Sequence, residues 1–306
     1  VTGGTGFIGS NISKLLISKN YNVKIFDNNS RGSIRKIKNI KKKIKFIKGD
    51  IRNKSILNKA LKNTDAVIHL AYVNGTKYFY TKPVLVLDIA IKGIINIIDG
   101  CIKNNIKELY LASSSEVYQT PNKIPTDETE SLKIPDIFNP RYSYGGGKIL
   151  TELMGIHYGK KYFKKLIIFR PHNVYGKNMG HEHVIPQFIR RFKNLRGKSF
   201  KIQGNGNEVR SFMYIEDFIS AFNKILSRGK HLNIYNVGTS EKIKIKNLAY
   251  RLSRILKKKI KLKKTPLLKG GTKKRIPNIS KIKKLGFKPK FNLERGLKKT
   301  LEINKY

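Results

Sequence analysis

Cysteine is almost missing from this 306-residue sequence: Cys101 is the only one. No disulfide can form within the chain, and a reducing, cytoplasmic setting is expected. Long apolar runs are missing too. Residues 84–87 and 94–98 are apolar, but a membrane-crossing helix needs roughly 20 such residues, so no membrane partner is expected. Acidic residues are scarce, with 19 Asp and Glu against 65 Lys and Arg, a net charge of +46. That excess invites a nucleic-acid reading. The lysines, however, are interleaved with isoleucines, as across 34–47, rather than gathered in a basic tail. No zinc-finger, RNP or helix-turn-helix pattern accompanies them. The charge reads as a solvated surface that attracts anionic ligands, with no dedicated nucleic-acid partner. No Ser/Gly linker, internal repeat or signal peptide is visible. The chain opens at Val1 directly on a glycine loop, so we expect a truncated chain or gene fragment that lacks several residues of a first strand.

What is present is rhythm. An apolar content of 39% supports a sizeable core. Strands are predicted over 21–27, 44–48, 66–71, 108–113 and 166–169. Helices are predicted over 8–18, 54–62 and 84–101, with another from about Ser143. Alternation of this kind implies βαβ units: an α/β fold of Rossmann type, with a doubly wound parallel sheet. Beyond about Pro171 the pattern loosens into Gly-, Asn- and Pro-rich turns, which predicts a smaller C-terminal α/β lobe packed on the first. Residues 1–170 are read as the cofactor domain, 171–306 mainly as a substrate lobe. A helix over 214–226 and a strand over 233–237 place 213–240 back with the main sheet.

Gly3, Gly6 and Gly9 supply the turn, the close backbone approach and the tight helix packing that a dinucleotide pyrophosphate needs. Phe7 and Ile8 begin the helix, whose free N–H groups and dipole favour an anion. Asp27 follows at a strand end about 20 residues on, beside Asn28, where a carboxylate accepts bonds from a ribose diol. Its charge repels a 2′-phosphate, so the predicted cofactor is NAD, although Arg31 lies nearby. Tyr144 and Lys148 lie four apart and share a helix face. A free phenol titrates near 10; an adjacent ammonium and a positive nicotinamide are expected to lower that value. The pair then removes a hydroxyl proton while hydride leaves the same carbon, with Ser114 bonded to the same oxygen. Gly145, Gly146 and Gly147 each cost about 1 kcal/mol within a helix, which suggests that something approaches closely, cofactor or substrate, or that the first turn is distorted. His181 and His183 have no clear third ligand, so no metal is expected.

These residues resemble the extended short-chain dehydrogenase/reductase family, specifically its NAD-dependent nucleotide-sugar epimerases, dehydratases and decarboxylases. Residues 2–10 match T-G-G-x-G-F-I-G-S, Ser113 to Tyr118 match S-S/T-x-x-V-Y, and Tyr144 with Lys148 match Y-x-x-x-K. By resemblance, Asp50 and Ile51 meet the adenine, and Leu70 and Ala71 lie along the cofactor. His172 and Asn173 stand near the nicotinamide and, for Asn173, the substrate. Ser115, His183 and Val184 line the substrate pocket, while Arg210 and Arg275 contact a nucleotide diphosphate, which suits a bidentate guanidinium. Gln119 departs from the usual Gly after Val-Tyr. Members often pair through two helices of the Rossmann lobe, so a homodimer is expected.

The family first oxidises the sugar to a keto intermediate, and the following step separates its members. Dehydratases carry Asp-Glu where this chain has Ser115-Glu116; decarboxylases often carry Ser-Glu. Glu116 is therefore either an additional acid/base or a structural acid paired with a neighbouring Lys. The leading expectation is an epimerase, with 4,6-dehydratase or UDP-glucuronate-type decarboxylase next. A non-catalytic nucleotide- or RNA-binding protein and a NAD(P)H-consuming reductase are the other readings.

Overall fold

The computed structural model describes residues 1–266 and 269–302. Its first half runs α1 (Phe7–Ser18), β1 (Val23–Asp27), a 3₁₀ segment (Ile34–Lys43), β2 (Ile44–Lys48), α2 (Lys54–Leu61), β3 (Ala66–His69), α3 (Thr76–Thr81), α4 (Pro83–Lys103), β4 (Glu108–Ala112), a 3₁₀ turn (Ser115–Tyr118), α5 (Tyr142–Tyr162) and β5 (Lys165–Pro171). There follow β6 (Val174–Tyr175), α6 (Val184–Lys193), β7 (Ser199–Gln203), β8 (Val209–Ser211), β9 (Met213–Tyr214), α7 (Ile215–Arg228) and β10 (Asn233–Val237). The chain continues with β11 (Lys242–Lys244), α8 (Ile245–Ile255), β12 (Lys261–Thr265), β13 (Lys274–Arg275), α9 (Ser280–Lys284) and α10 (Leu293–Glu302).

The main sheet is parallel throughout. β1 pairs with β2, and β3, β4, β5 and β10 pair in that order. Thr2 joins the two parts, bridging Phe26 on one side and His69 on the other. The glycine loop thus leaves the middle of the sheet, where β1 and β3 diverge, and a ligand crevice forms where the strand order reverses.

Alternation along the strands shows why both faces are covered. Tyr110, Ala112, Ile167 and Phe169 join one core with Ile12 of α1 and Phe222 of α7. Leu109, Leu111, Leu166 and Ile168 join another with Leu57 of α2 and Ile97 of α4. Strands buried on both sides read as continuous apolar runs, as these do. α4 starts at Pro83, where a missing N–H leaves no helix bond unmade. α2 is capped by Asn53, which accepts from the Ile56 N–H at 3.1 Å.

Two elements differ from the sequence expectation. Residues 34–43 form a 3₁₀ segment that buries Ile37 and Ile40 and leaves its lysines outside; a spacing of three suits that tighter helix. The short helix α3 was not expected, and it supplies Phe79 to the active site. The C-terminal lobe is built on β7 with β12 and on the small sheet β11–β8–β13. Phe192 stacks on Phe200 there at 4.3 Å. Both belong to the core that also holds Phe169 of the main sheet, so one apolar interior runs through both lobes.

Candidate active site

The glycine loop is shaped by contacts that no side chain would permit. A Cβ on Gly9 would stand 2.2 Å from the Gly3 carbonyl oxygen. Gly3 has φ +68 and lies against the backbone of Leu70 and Ala71. α1 then begins at Gly6 with no side-chain cap and no acidic residue in its first turn. Its leading N–H groups, around Phe7 and Ile8, are left for an anion. Asp27 is buried at the end of β1 and accepts from the Thr5 N–H at 2.9 Å and the Asn29 N–H at 2.8 Å, one on each oxygen. Lone pairs remain on both. Asn28 donates to Asp50 at 3.0 Å and joins the ends of β1 and β2. Arg52 bonds to Asp50 and is the main cause that holds this carboxyl down to about 2.

Gly3, Gly6, Asp27, Asn28, Asp50, Ile51, Leu70 and Ala71 line one groove, together with Arg31 and Tyr72. A glycine cradle, an uncapped helix start and a buried carboxylate at the strand end fit the pyrophosphate and ribose of NAD. Within the groove Arg31 pairs with Glu182 at 3.3 Å and stacks on Tyr78, while its Nη1 is buried without a partner.

The candidate reacting groups sit next to this groove. Ser114 caps the 3₁₀ turn, accepting from the Glu116 N–H at 3.1 Å. Its hydroxyl also acts on Tyr144, favouring the phenolate. Tyr144 is held between Phe79, stacked at 4.6 Å, and Tyr72, edge-on at 5.1 Å. Lys148 donates to the Ala112 carbonyl at 2.6 Å and lies 3.8 Å from the Tyr72 ring centroid. Burial pushes Lys148 down to about 7, opposed by Glu152.

The expected lowering of Tyr144 is not found. Burial raises its pKa, while Ser114 works the other way. The reason is geometric: the Lys148 ammonium is turned to Ala112, and desolvation of the phenolate dominates.

Glu116 is paired with arginines rather than with a neighbouring Lys. Arg275 grips it with two bonds, at 2.6 and 2.9 Å, and Arg141 stands 3.6 Å away; no Lys is its partner. Burial would raise this carboxyl, but Arg275 and Arg141 outweigh it and hold it at about 2. Arg275 and Arg141 each keep a buried Nε without a partner. Arg210 turns its guanidinium onto the carbonyls of Val209 and Thr272. Burial, then the repulsion of Arg275, pushes Arg210 down to about 10.

Of the other predicted residues, Ser115 is buried at the start of the 3₁₀ turn. His172 and Asn173 follow directly at the exit of β5. His172 meets Asn236 at 3.0 Å, and Asn173 donates to the Ser211 carbonyl at 2.8 Å. His183 and Val184 open α6, with His183 near Arg31 and Glu116 and held neutral, chiefly by burial, at about 4. Among the described residues no three His, Cys, Asp or Glu side chains gather as a metal site.

Protein atoms approach the glycine triplet closely. A Cβ on Gly145 would meet Gln119, and one on Gly147 would meet Tyr72 and Ala90. Sequence reasoning missed Tyr72, Phe79, Arg141 and the buried Glu152. Only Arg141, three residues before Tyr144, carried a usable local signal.

Residues 1–238 match the family model described as NAD dependent epimerase/dehydratase family. The chain belongs to that family. Its cofactor is accordingly NAD. A putative UDP-glucose 4-epimerase of Methanocaldococcus jannaschii is 33% identical over 310 residues, covering 98% of this chain and 96% of that protein. A UDP-N-acetyl-alpha-D-glucosaminuronate decarboxylase of Bacillus cytotoxicus is 28% identical, covering 99% and 96%. Among solved structures, the UDP-glucose 4-epimerase of Thermotoga maritima with UDP-glucose superposes with a TM-score of 0.89 at 28% identity, covering 98% of this chain and 96% of that one. Family members of this kind are enzymes acting on nucleotide sugars, and three reaction types are represented among the relatives.

Proposed function

We propose that this protein is an NAD-dependent nucleotide-sugar epimerase that works through a transient keto-sugar. The observation that carries the reading is a Glu116 already neutralised by arginine, in a site where Ser114 acts on the Tyr144 phenol. Tyr144 takes the proton of the reacting hydroxyl and later returns one, and Ser114 bonds the same oxygen. Lys148, 5.9 Å from the Tyr144 ring centroid, would favour the phenolate in its ammonium form once it turns from the Ala112 carbonyl. NAD held along Gly3, Gly6 and Asp27 would supply the hydride chemistry, taking a hydride from the sugar and returning it to the other face. Arg210 and Arg275 would hold the substrate diphosphate, Arg275 through its unpartnered Nε. Elimination of water needs a protonated acid at neutral pH, which a carboxyl held at about 2 is not. Ser115 offers no carboxylate in its place.

Decarboxylation of a nucleotide-linked uronate is the second reading. One observation favours it: three guanidinium groups, Arg141, Arg210 and Arg275, surround the single carboxylate Glu116. That excess of positive charge suits a substrate carboxylate. We further propose a homodimer through α4 and α5, supported by exposed Val84, Leu87, Ile91 and Ile95 on α4 and Leu153 on α5.

The deciding experiment incubates a panel of UDP- and dTDP-sugars with the protein and NAD⁺, with Tyr144→Phe as control, and reads mass and stereochemistry. A new stereoisomer of unchanged mass is expected, absent with Tyr144→Phe. Loss of CO₂ from a uronate would replace the first reading with the second. Loss of water would overturn the argument from Glu116.

A further inference from the structure

Glu152 lies one turn beyond Lys148 on α5, in the interior beneath the reacting groups. Arg170, near the end of β5, meets it with two bonds: Nε to Oε1 at 2.8 Å and Nη2 to Oε2 at 2.5 Å. The two side chains are 2% and 4% exposed. Burial opposes the charge on Arg170, but Glu152 overrides it and keeps the guanidinium protonated. An apolar pair of similar volume is often as stable as such an ion pair or more so, and positional specificity is the best-attested role of those that are kept.

The surrounding bonds show what is being positioned. The Ser113 hydroxyl donates to Glu152 Oε1. Arg170 Nη1 donates to the Tyr118 hydroxyl at 2.6 Å and to the Glu128 carbonyl at 3.2 Å. The Tyr118 hydroxyl in turn donates to Asn236 Oδ1 at 2.9 Å. The segment between Ser113 and Tyr118 carries Ser114, Ser115 and Glu116. One ion pair therefore holds that segment at both ends. Lys148 makes a third tie, to the carbonyl of Ala112 just before it. All three ties run between this strand exit and the α5–β5 layer, and the two made by the ion pair use none of the reacting groups.

We infer that Glu152 and Arg170 form a positioning pair that holds Ser114 in register with the α5 face bearing Tyr144 and Lys148. The inference rests on the reading of Ser114, Tyr144 and Lys148 as the reacting groups. Its chemical logic is preorganisation: groups of this kind must be held within about 0.5 Å of their productive geometry, and misplacement by about 1 Å can lower the rate by about 100-fold.

Removing Glu152 itself would strand a buried guanidinium, so the test uses milder cuts. Ser113→Ala removes the tie at one end and leaves the ion pair intact. Tyr118→Phe removes the tie at the other end. Ser113→Thr keeps the hydroxyl. Turnover of the panel sugar that the wild type converts is measured alongside folded fraction and crystal structures of each variant. We expect Ser113→Ala and Tyr118→Phe to lower kcat about tenfold or more, with KM and melting temperature little changed and Ser113→Thr restoring most of the loss. In the Ser113→Ala structure, the Ser114–Tyr144 separation should change by about 0.5 Å or more. A wild-type kcat in both variants overturns the inference. So does an unmoved Ser114, a readout that needs no substrate. A loss that merely tracks unfolded protein and is not restored by Ser113→Thr overturns it too. Tyr144→Phe separates the two levels: if that variant still turns over, the reading of the reacting groups fails and the positioning role with it. If it is inactive while the other variants are normal, only the positioning role fails.

Discussion

Gly147 sits where α5 crosses α4, and a Cβ there would stand 2.2 Å from the Tyr72 hydroxyl and 2.7 Å from Ala90 Cβ. Gly147→Ala must push the helices apart or displace Tyr72 from beside Tyr144. A loss of about 1–3 kcal/mol is expected, read from the denaturant midpoint, together with a loss of activity. Gly146 meets only the far end of Ile134, at 3.3 Å. Gly146→Ala should therefore be neutral or stabilising by up to about 1 kcal/mol. Equal effects at the two positions would show that the crossing is not what requires glycine. The unusual Gln119 is explained in the same way: its amide lies over Gly145, in space that a side chain would fill. At Glu116, substitution by Gln leaves Arg275 and Arg141 without their counter-charge. Breaking such a buried pair costs about 3–5 kcal/mol. An anion that reaches these arginines should recover part of that loss, so UDP should raise the melting temperature of Glu116→Gln more than that of the wild type. Equal shifts would place the diphosphate elsewhere.

At the scale of elements, α4 presents Val84, Leu87, Ile91 and Ile95 outward, three or four residues apart on one stripe. Val84 is 78% exposed and Leu153 of α5 is 53% exposed. Ile91→Glu or Leu153→Glu should turn a dimer into a monomer in sedimentation velocity while leaving each chain folded. A wild type that sediments as a monomer would refute the proposed pairing. The elements themselves were largely readable, because helix and strand periods, Asp27 at a strand end and the Tyr144/Lys148 spacing are local signals. The helices over 8–18 and 54–62 and the strands over 44–48 and 233–237 lie within a residue of their predicted ends. What could not be read depends on contacts between distant elements. Nothing near Glu116 announces Arg275, and nothing near Lys148 announces that its ammonium turns to Ala112. Phe79 reaches Tyr144 from α3, a six-residue helix too short to show a period. What packs against the glycine triplet could not be read for the same reason: Tyr72 and Ala90 approach it from other parts of the chain.

The whole molecule carries 65 basic against 19 acidic residues, and like charges at that density repel. Added salt shortens the range of this repulsion, so the melting temperature should rise between low and moderate ionic strength. A fall would mean that the ion pairs outweigh the surplus. pH acts in a definite direction. Burial pushes His69 and His172 down to about 3 and His183 to about 4. Between these values and their ordinary ones the unfolded chain binds more protons, so stability rises with pH. From pH 4.5 to 6.5 the histidines act. Tm should climb by about 5 °C or more across that range; a flat profile would show that these groups are solvated. One feature bears on synthesis rather than on the finished enzyme. The Glu116–Arg275 grip joins residues 159 positions apart, and translation proceeds at about 5–20 residues per second. For roughly ten to thirty seconds after Glu116 is made, the nascent chain has its cofactor cradle but lacks the arginine that grips this acid. During that interval Glu116 should behave as an ordinary carboxylate, and the nascent lobe should acquire NAD affinity before it acquires a finished sugar pocket.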